Sequence, residues 1–273
     1  MSLRRLDPVA PGTAVELADE AAGPPAAWGE LTRSHLEERL AGFTRRMDRL
    51  QSALHAESRQ ALLVVLQGRD TAGKDGTIRR VFGPLDPQGV AITSFKAPTA
   101  LELSHDYLWR VHQAVPAKGT IGIFNRSHYE DVLVVRVHGL VPEAVWRPRF
   151  EQINLFERIL VENGITILKF FLHISREEQR ARLRARLEDA TKYWKFDAGD
   201  LKERARWDDY TTAYAEAIAR TTTVSAPWYV VPADRKMVRD VLVAEVVVEA
   251  LERLDPRYPG PPPEIEQLRE AVR

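Results

Sequence analysis

Cysteine is absent from the 273 residues of this sequence. That excludes a disulfide framework and any thiolate metal site, and it fits a reducing cytoplasm, the expected location. No apolar run approaches the ~18 residues that a membrane span needs, so no membrane partner is expected. Charge of either sign is not in excess, because 39 Lys and Arg balance 39 Asp and Glu. No global field draws in a nucleic acid, and an anion site must come from a local cluster. The seven histidines show no H-E-x-x-H or comparable ligand spacing, and no N-K-x-D marks a guanine pocket. The first 30 residues lack a continuous apolar stretch and are rich in Pro and Ala, which argues against a signal peptide. Residues 1–33 read as a flexible or draped arm. No internal repeat is visible.

What is present is an ordinary globular composition, 44% hydrophobic and 29% charged, enough for one large α/β domain with additions. One stretch organises it. The apolar run Ala61 to Gln67 leads into Gly68-Arg69-Asp70-Thr71-Ala72-Gly73-Lys74-Asp75-Gly76 and then Thr77-Ile78-Arg79-Arg80. The order strand, glycine loop, helix start carries the G-x-x-x-x-G-K spacing of a phosphate-binding loop. Glycines let the backbone wrap closely, so that N–H groups and a helix N-terminus converge on one anion. Gly68, Thr71, Ala72, Gly73, Lys74, Asp75 and Gly76 are therefore candidate phosphate binders, with Lys74 as a flexible point charge. The Ser or Thr that usually follows the lysine and holds magnesium is replaced by Asp75. Either Thr77 or a carboxylate takes that work, and Asp70 is the obvious candidate.

Around the loop, sheet and helix signals alternate. A helix is predicted over 34–58, with a Ser34/Glu37 capping box and an apolar stripe of Leu36, Leu40, Phe43, Met47, Leu50 and Leu54. Strands are predicted at 89–95, 120–125, 165–174 and 227–232, with helices at 100–114, 143–163, 175–189, 200–220 and 236–253. Strands separated by helices predict a parallel sheet covered on both faces. The domain is placed at 34–255, with a Pro-rich tail at 256–273.

Two further clusters carry charge suited to chemistry. Phe124-Asn125-Arg126-Ser127-His128-Tyr129-Glu130-Asp131 follows the third strand, at the carboxyl end of the sheet where ligands bind in open α/β folds. Asn125 stands where phosphate-loop proteins commonly place an aspartate for magnesium, and Glu130 and Asp131 restore the missing charge. The second cluster, 176–206, holds ten cations and reads as a mobile lid that neutralises charge and excludes water on closure. Most of its arginines are expected on a solvated face, as in the pair Glu178 and Arg182. Arg176, directly after the fourth strand, is the exception. Trp194 and Trp207 are expected in the core, with base stacking as the alternative. Lys96 and Arg79 or Arg80 are placed along a phosphate path by position alone.

Together these segments resemble the polyphosphate kinase 2 family. The matching pieces are QGRDTAGKDG at 67–76, SFKAP at 94–98, FNRSHYEDVL at 124–133, YWKF at 193–196, WDDY at 207–210 with Ala213-Tyr214, and APWYVVPAD at 226–234. Asn125 at the strand end is similar to the class III subgroup, where classes I and II usually carry Asp. The resemblance implies an α/β fold: a phosphate-loop kinase sandwich of three layers with a five-stranded parallel sheet, helices on both faces and a helical lid. It implies transfer between inorganic polyphosphate and adenine nucleotides, acting on AMP and ADP to make ATP, with magnesium as cofactor and manganese as the alternative. By the same resemblance Asp70 and Lys74 belong to the first motif, Asn125, Arg126 and Glu130 to the second, and Arg176 is the lid arginine. A homo-oligomer, dimer or tetramer, is implied.

The acceptor is already an oxyanion, so positioning and charge neutralisation are expected to carry the rate. Lys74 and the loop amides are expected to hold the transferred phosphate, Asp70 and Glu130 the metal, and Arg126 and Arg176 the spreading charge. The rival readings are an ATP-dependent nucleoside monophosphate or small-molecule kinase, and a nucleotide-binding regulatory module without turnover.

Overall fold

A computed structural model describes residues 5–273. Five parallel strands form the sheet in the order β2-β3-β1-β4-β5: β1 Ala61–Gln67, β2 Val90–Ser94, β3 Ile121–Asn125, β4 Ile165–His173 and β5 Trp228–Pro232. β1 is central because every one of its residues is apolar or buried, which suits a strand covered on both faces. Period-two geometry sends Leu62, Val64 and Leu66 into one core and Ala61, Leu63 and Val65 into the other.

The first core is closed by α1 (Arg33–Glu57), by α2 (Lys74–Thr77, continued by a π turn over Ile78–Phe82) and by α8 (Lys236–Leu254). α8 is buried almost all round, as a helix must be when the sheet lies on one side and α1 on the other. The second core is closed by α3 (Glu130–Val137), α4 (Arg149–Glu162) and α7 (Trp207–Thr221). Between β4 and α7 lie α5 (Arg176–Glu188), a short 3₁₀ stretch over Ala190–Lys195 and α6 (Gly199–Ala205). The result is the three-layer α/β sandwich expected.

Local chemistry moved several boundaries. The N-cap of α1 is Thr32, whose hydroxyl accepts from the His35 N–H, so the Ser34/Glu37 capping box is not used. The predicted helix at 100–114 is two short helices, Ala100–Leu103 and Trp109–Gln113, parted by an Asp106 turn that accepts the Leu108 N–H. Pro148 divides the predicted 143–163 helix, leaving Val145 and Ile159 exposed. Arg206 divides 200–220 into α6 and α7. The Pro-rich tail contains an exposed helix, Ile265–Ala271.

The N-terminal arm lies on the domain from residue 5 onward. The Val9 N–H donates to Trp228 O at 2.8 Å, Asp234 N–H to Ala22 O at 3.1 Å, and Arg235 binds the carbonyls of Trp28 and Leu31. Trp28 is wholly buried there.

Candidate active site

The site begins with backbone conformation. β1 delivers the chain to Gly68, where an added Cβ would meet Leu172 O at 2.9 Å, so only glycine fits so close to β4. Thr71 (φ +67°) and Gly73 (φ +105°) are left-handed and curl the loop before α2 starts at Lys74. The Lys74 ammonium is folded back on the loop, donating to Gly68 O at 2.6 Å and Arg69 O at 3.3 Å. Burial pulls its pKa down to about 8, and the Arg126 charge adds to this; Asp70, Glu130 and Asp75 oppose it.

The end of β3 faces the loop. Asn125 Nδ2 donates to Asp75 Oδ1 at 2.7 Å. The carboxylate that most phosphate-loop kinases keep at the strand end thus stands on the loop side, with an amide opposite it. Arg126 is left-handed (φ +63°), a conformation costly for a side chain with a Cβ. It spans two carboxylates, Asp70 Oδ1 at 2.7 Å and Glu130 Oε2 at 3.1 Å. The nearby charge of Glu130 raises its pKa despite burial.

Buried anchors hold this turn from beneath. Gln67 Nε2 donates to Ser127 Oγ at 3.1 Å. The Tyr129 hydroxyl donates to Glu157 Oε1 at 2.7 Å, and His128 Nε2 lies 3.3 Å from the same oxygen. Lys169 closes the network on Glu157 Oε2 at 2.6 Å.

Loop, β3 end and the segment after β4 enclose a cavity of about 600 Å³. Asp70, Lys74, Lys96, Asn125 and Arg126 face it, as expected. Arg176 does not. It is exposed at the start of α5, where its N–H binds Asp19 Oδ2 at 3.0 Å and its carbonyl accepts from Arg204. The arginines of α5 that reach the cavity wall are Arg182 and Arg186, with Lys192 and Lys195 beyond them. Arg79 is exposed on the π turn and lies outside the wall, while Arg80 turns to Asp240 at 3.7 Å. Trp194, expected in the core, is 78% exposed. Trp207 is buried, with the Arg69 guanidinium 3.9 Å from its ring centroid. From the first turns of α8, Lys236 and Arg239 complete the wall.

The carboxylates beside the loop are Asp70 and Glu130, both on Arg126, and Asp75, on Asn125. Among the described residues no three His, Cys, Asp or Glu side chains gather into a metal cage. That set fits a hard divalent cation held by one or two carboxylates and shared with substrate phosphates, the usual magnesium arrangement.

Residues 30–259 match the family model for polyphosphate kinase 2. The chain belongs to the polyphosphate kinase 2 family. It is 56% identical over 224 residues to an AMP/ADP-polyphosphate phosphotransferase of Meiothermus ruber, covering 82% of this chain and 84% of the relative. It is 44% identical over 257 residues to an ADP-polyphosphate phosphotransferase of Rhodopseudomonas palustris, covering 88% and 89%. The crystal structure of polyphosphate kinase 2 from Arthrobacter aurescens TC1 superposes with a TM-score of 0.86 at 41% identity, over 97% of this chain and 99% of that one. Arg186, Lys236 and Arg239 are wall residues that sequence reasoning did not single out, and Arg182, expected on a solvated face with Glu178, is instead buried against the loop. Arg182 and Arg186 were findable by helical phase, being four residues apart on one face, while Arg176 falls on another.

Proposed function

We propose that this polyphosphate kinase 2 member transfers phosphoryl groups from inorganic polyphosphate to AMP and ADP, forming ATP. One observation carries the reading. A phosphate loop with an unneutralised lysine opens into a cavity whose far wall is cationic, formed by Arg186, Lys192, Lys195 and Lys236. A nucleotide needs the loop, and an extended polyanion uses the second wall.

The chemistry follows from the side chains. Lys74 swings from its two carbonyls to the phosphate being transferred, and the loop amides hold that group in line. Arg126 exchanges carboxylate oxygens for phosphate oxygens. Arg186, rather than the exposed Arg176, brings the lid's charge to the equatorial oxygens. Asp70 and Glu130 would hold a divalent cation, magnesium with manganese as the alternative, which when bound neutralises phosphate charge. The lid comprises α5, the 3₁₀ stretch and α6, and its closure excludes water. Self-association as a dimer or tetramer completes the reading, and light scattering checks it.

The test uses long-chain polyphosphate with ADP, and with AMP in parallel, in ATP-free buffer. Formation of ATP from ADP, and of ADP and ATP from AMP, is expected. No product with polyphosphate but turnover of a nucleoside monophosphate with ATP would replace the donor in this account.

A further inference from the structure

Ala72 O accepts two guanidinium donors at once, Arg182 Nη1 at 3.0 Å and Arg239 Nη1 at 3.1 Å. Arg182 Nη1 also reaches Thr71 O at 2.9 Å. Both arginines are buried; Arg182 has all five of its N–H donors engaged, and Arg239 has three of its five. Arg182 gives Nε to Glu178, and Nη2 to Ala233 O at 2.6 Å and Asp234 O at 2.9 Å. Arg239 gives Nε and Nη2 to the buried Asp240 Oδ1, which also accepts the Thr77 hydroxyl of α2. With every donor engaged, Arg182 is a poor ligand for a passing phosphate although it borders the cavity, and Arg239, which borders it too, is fixed to the loop and to Asp240 by the donors it uses.

Their geometry suits a different task. A peptide unit is planar and trans, so its C=O and N–H point in opposite directions. Occupying both lone pairs of Ala72 O fixes the plane of the 72–73 peptide and leaves the Gly73 N–H pointing away from the two guanidiniums, at a residue that lines the cavity with Lys74. Arg239 lies so close to Gly73 that a Cβ there would fall 1.9 Å from its Nη1. Arginine keeps its charge in proteins, so two cations also polarise this peptide.

We propose that Arg182 and Arg239 are positioning residues of the phosphate loop, holding the 72–73 peptide so that its N–H is aimed at the bound phosphate. The inference rests on the reading of the loop as the phosphate site. It makes the single lid arginine most firmly tied to the loop an organiser of backbone and leaves Arg186 to meet substrate.

The test is calorimetric binding of inorganic tripolyphosphate to the whole chain, with nitrogen-labelled glycine reporting the Gly73 amide by NMR. Arg182→Met and the pair Arg239→Met/Asp240→Asn remove the donors, the second change sparing a buried unpaired carboxylate. Each is expected to weaken tripolyphosphate binding about tenfold, the scale of one charge-assisted hydrogen bond, and to abolish the ligand-induced shift of Gly73. Arg182→Lys, which keeps one donor, is expected to recover part of the affinity. Lowered melting temperatures with parental tripolyphosphate affinity and a parental Gly73 shift would make the arginines mere fasteners and overturn the proposal. Should Arg182→Met not fold, the Arg182→Lys and Arg239→Met/Asp240→Asn arms decide it by the same readouts. If the parent chain itself binds no tripolyphosphate, the reading of the loop fails, and the proposal with it.

Discussion

Two buried lysines of this molecule live in opposite circumstances. Lys169, in the middle of β4, donates to Glu157 at 2.6 Å, to Thr221 O at 2.6 Å and to the Tyr129 hydroxyl at 3.0 Å. Lys74 has only the carbonyls of Gly68 and Arg69. Burial lowers both pKa values; at Lys169 the Glu157 charge opposes it directly, whereas at Lys74 the Arg126 charge adds to it. A buried cation with its own counter-ion is a structural fixture. One that hydrogen-bonds carbonyls, with the Asp70, Glu130 and Asp75 carboxylates acting only from beyond hydrogen-bond reach, is a place kept for an incoming anion.

The sharpest way to break this comparison is Lys74→Ala. Turnover is expected to fall at least about 10³-fold, the low end for removing a cation from a phosphoryl-transfer site, with stability kept or raised. Near-normal turnover in a folded variant ends the role. Lys169→Met should do the reverse, losing about 3–5 kcal/mol of stability in chemical denaturation because the buried Glu157 keeps Tyr129 and His128 but loses its lysine counter-charge. Adding Glu157→Gln should restore most of that loss, and a single variant as stable as the parent would show that Glu157 needs no counter-charge.

pH offers a third handle, of smaller size. The native pKa of Lys74, about 8, lies below its ordinary 10.5. Between those values the unfolded chain binds the extra proton, so stability rises with pH across the window, by on the order of 3 kcal/mol. Lys74→Met should lack this rise, and tripolyphosphate affinity of the parent should decline above pH about 8. A flat difference between parent and variant would contradict the burial of the charge. The smallest effect is reserved for Lys192, exposed and paired with Asp189 at 2.5 Å. Lys192→Ala is expected to raise the KM for long-chain polyphosphate about twofold at low salt and not at high salt.

These contrasts also mark what was legible in the sequence. β1 and the loop could be read because an unbroken apolar run and three glycines have few other uses. β2 to β5 followed from similar runs, with ends displaced by a residue or two. Helix breaks were hidden where the cause is a single turn, as at Asp106, Pro148 and Arg206. At the site, residues adjoining a strand end, such as Asn125 and Arg126, were placed by topology alone. Arg176 was not, because being next to a strand does not fix the direction of a helical side chain. Arg182 and Arg239 come from distant segments and meet only in the folded chain, and nothing local in their sequence signals a shared carbonyl. Trp194 was misjudged because its exposure depends on how the stretch after α5 turns.

The bond from Val9 to Trp228 and the burial of Trp28 beside Arg235 have a consequence for how the molecule is made. During translation the arm emerges ahead of β5 and the start of α8, the surfaces it docks on. Through that interval a nascent chain carries a bare indole and unmet backbone groups, which is the kind of segment that chaperones recognise.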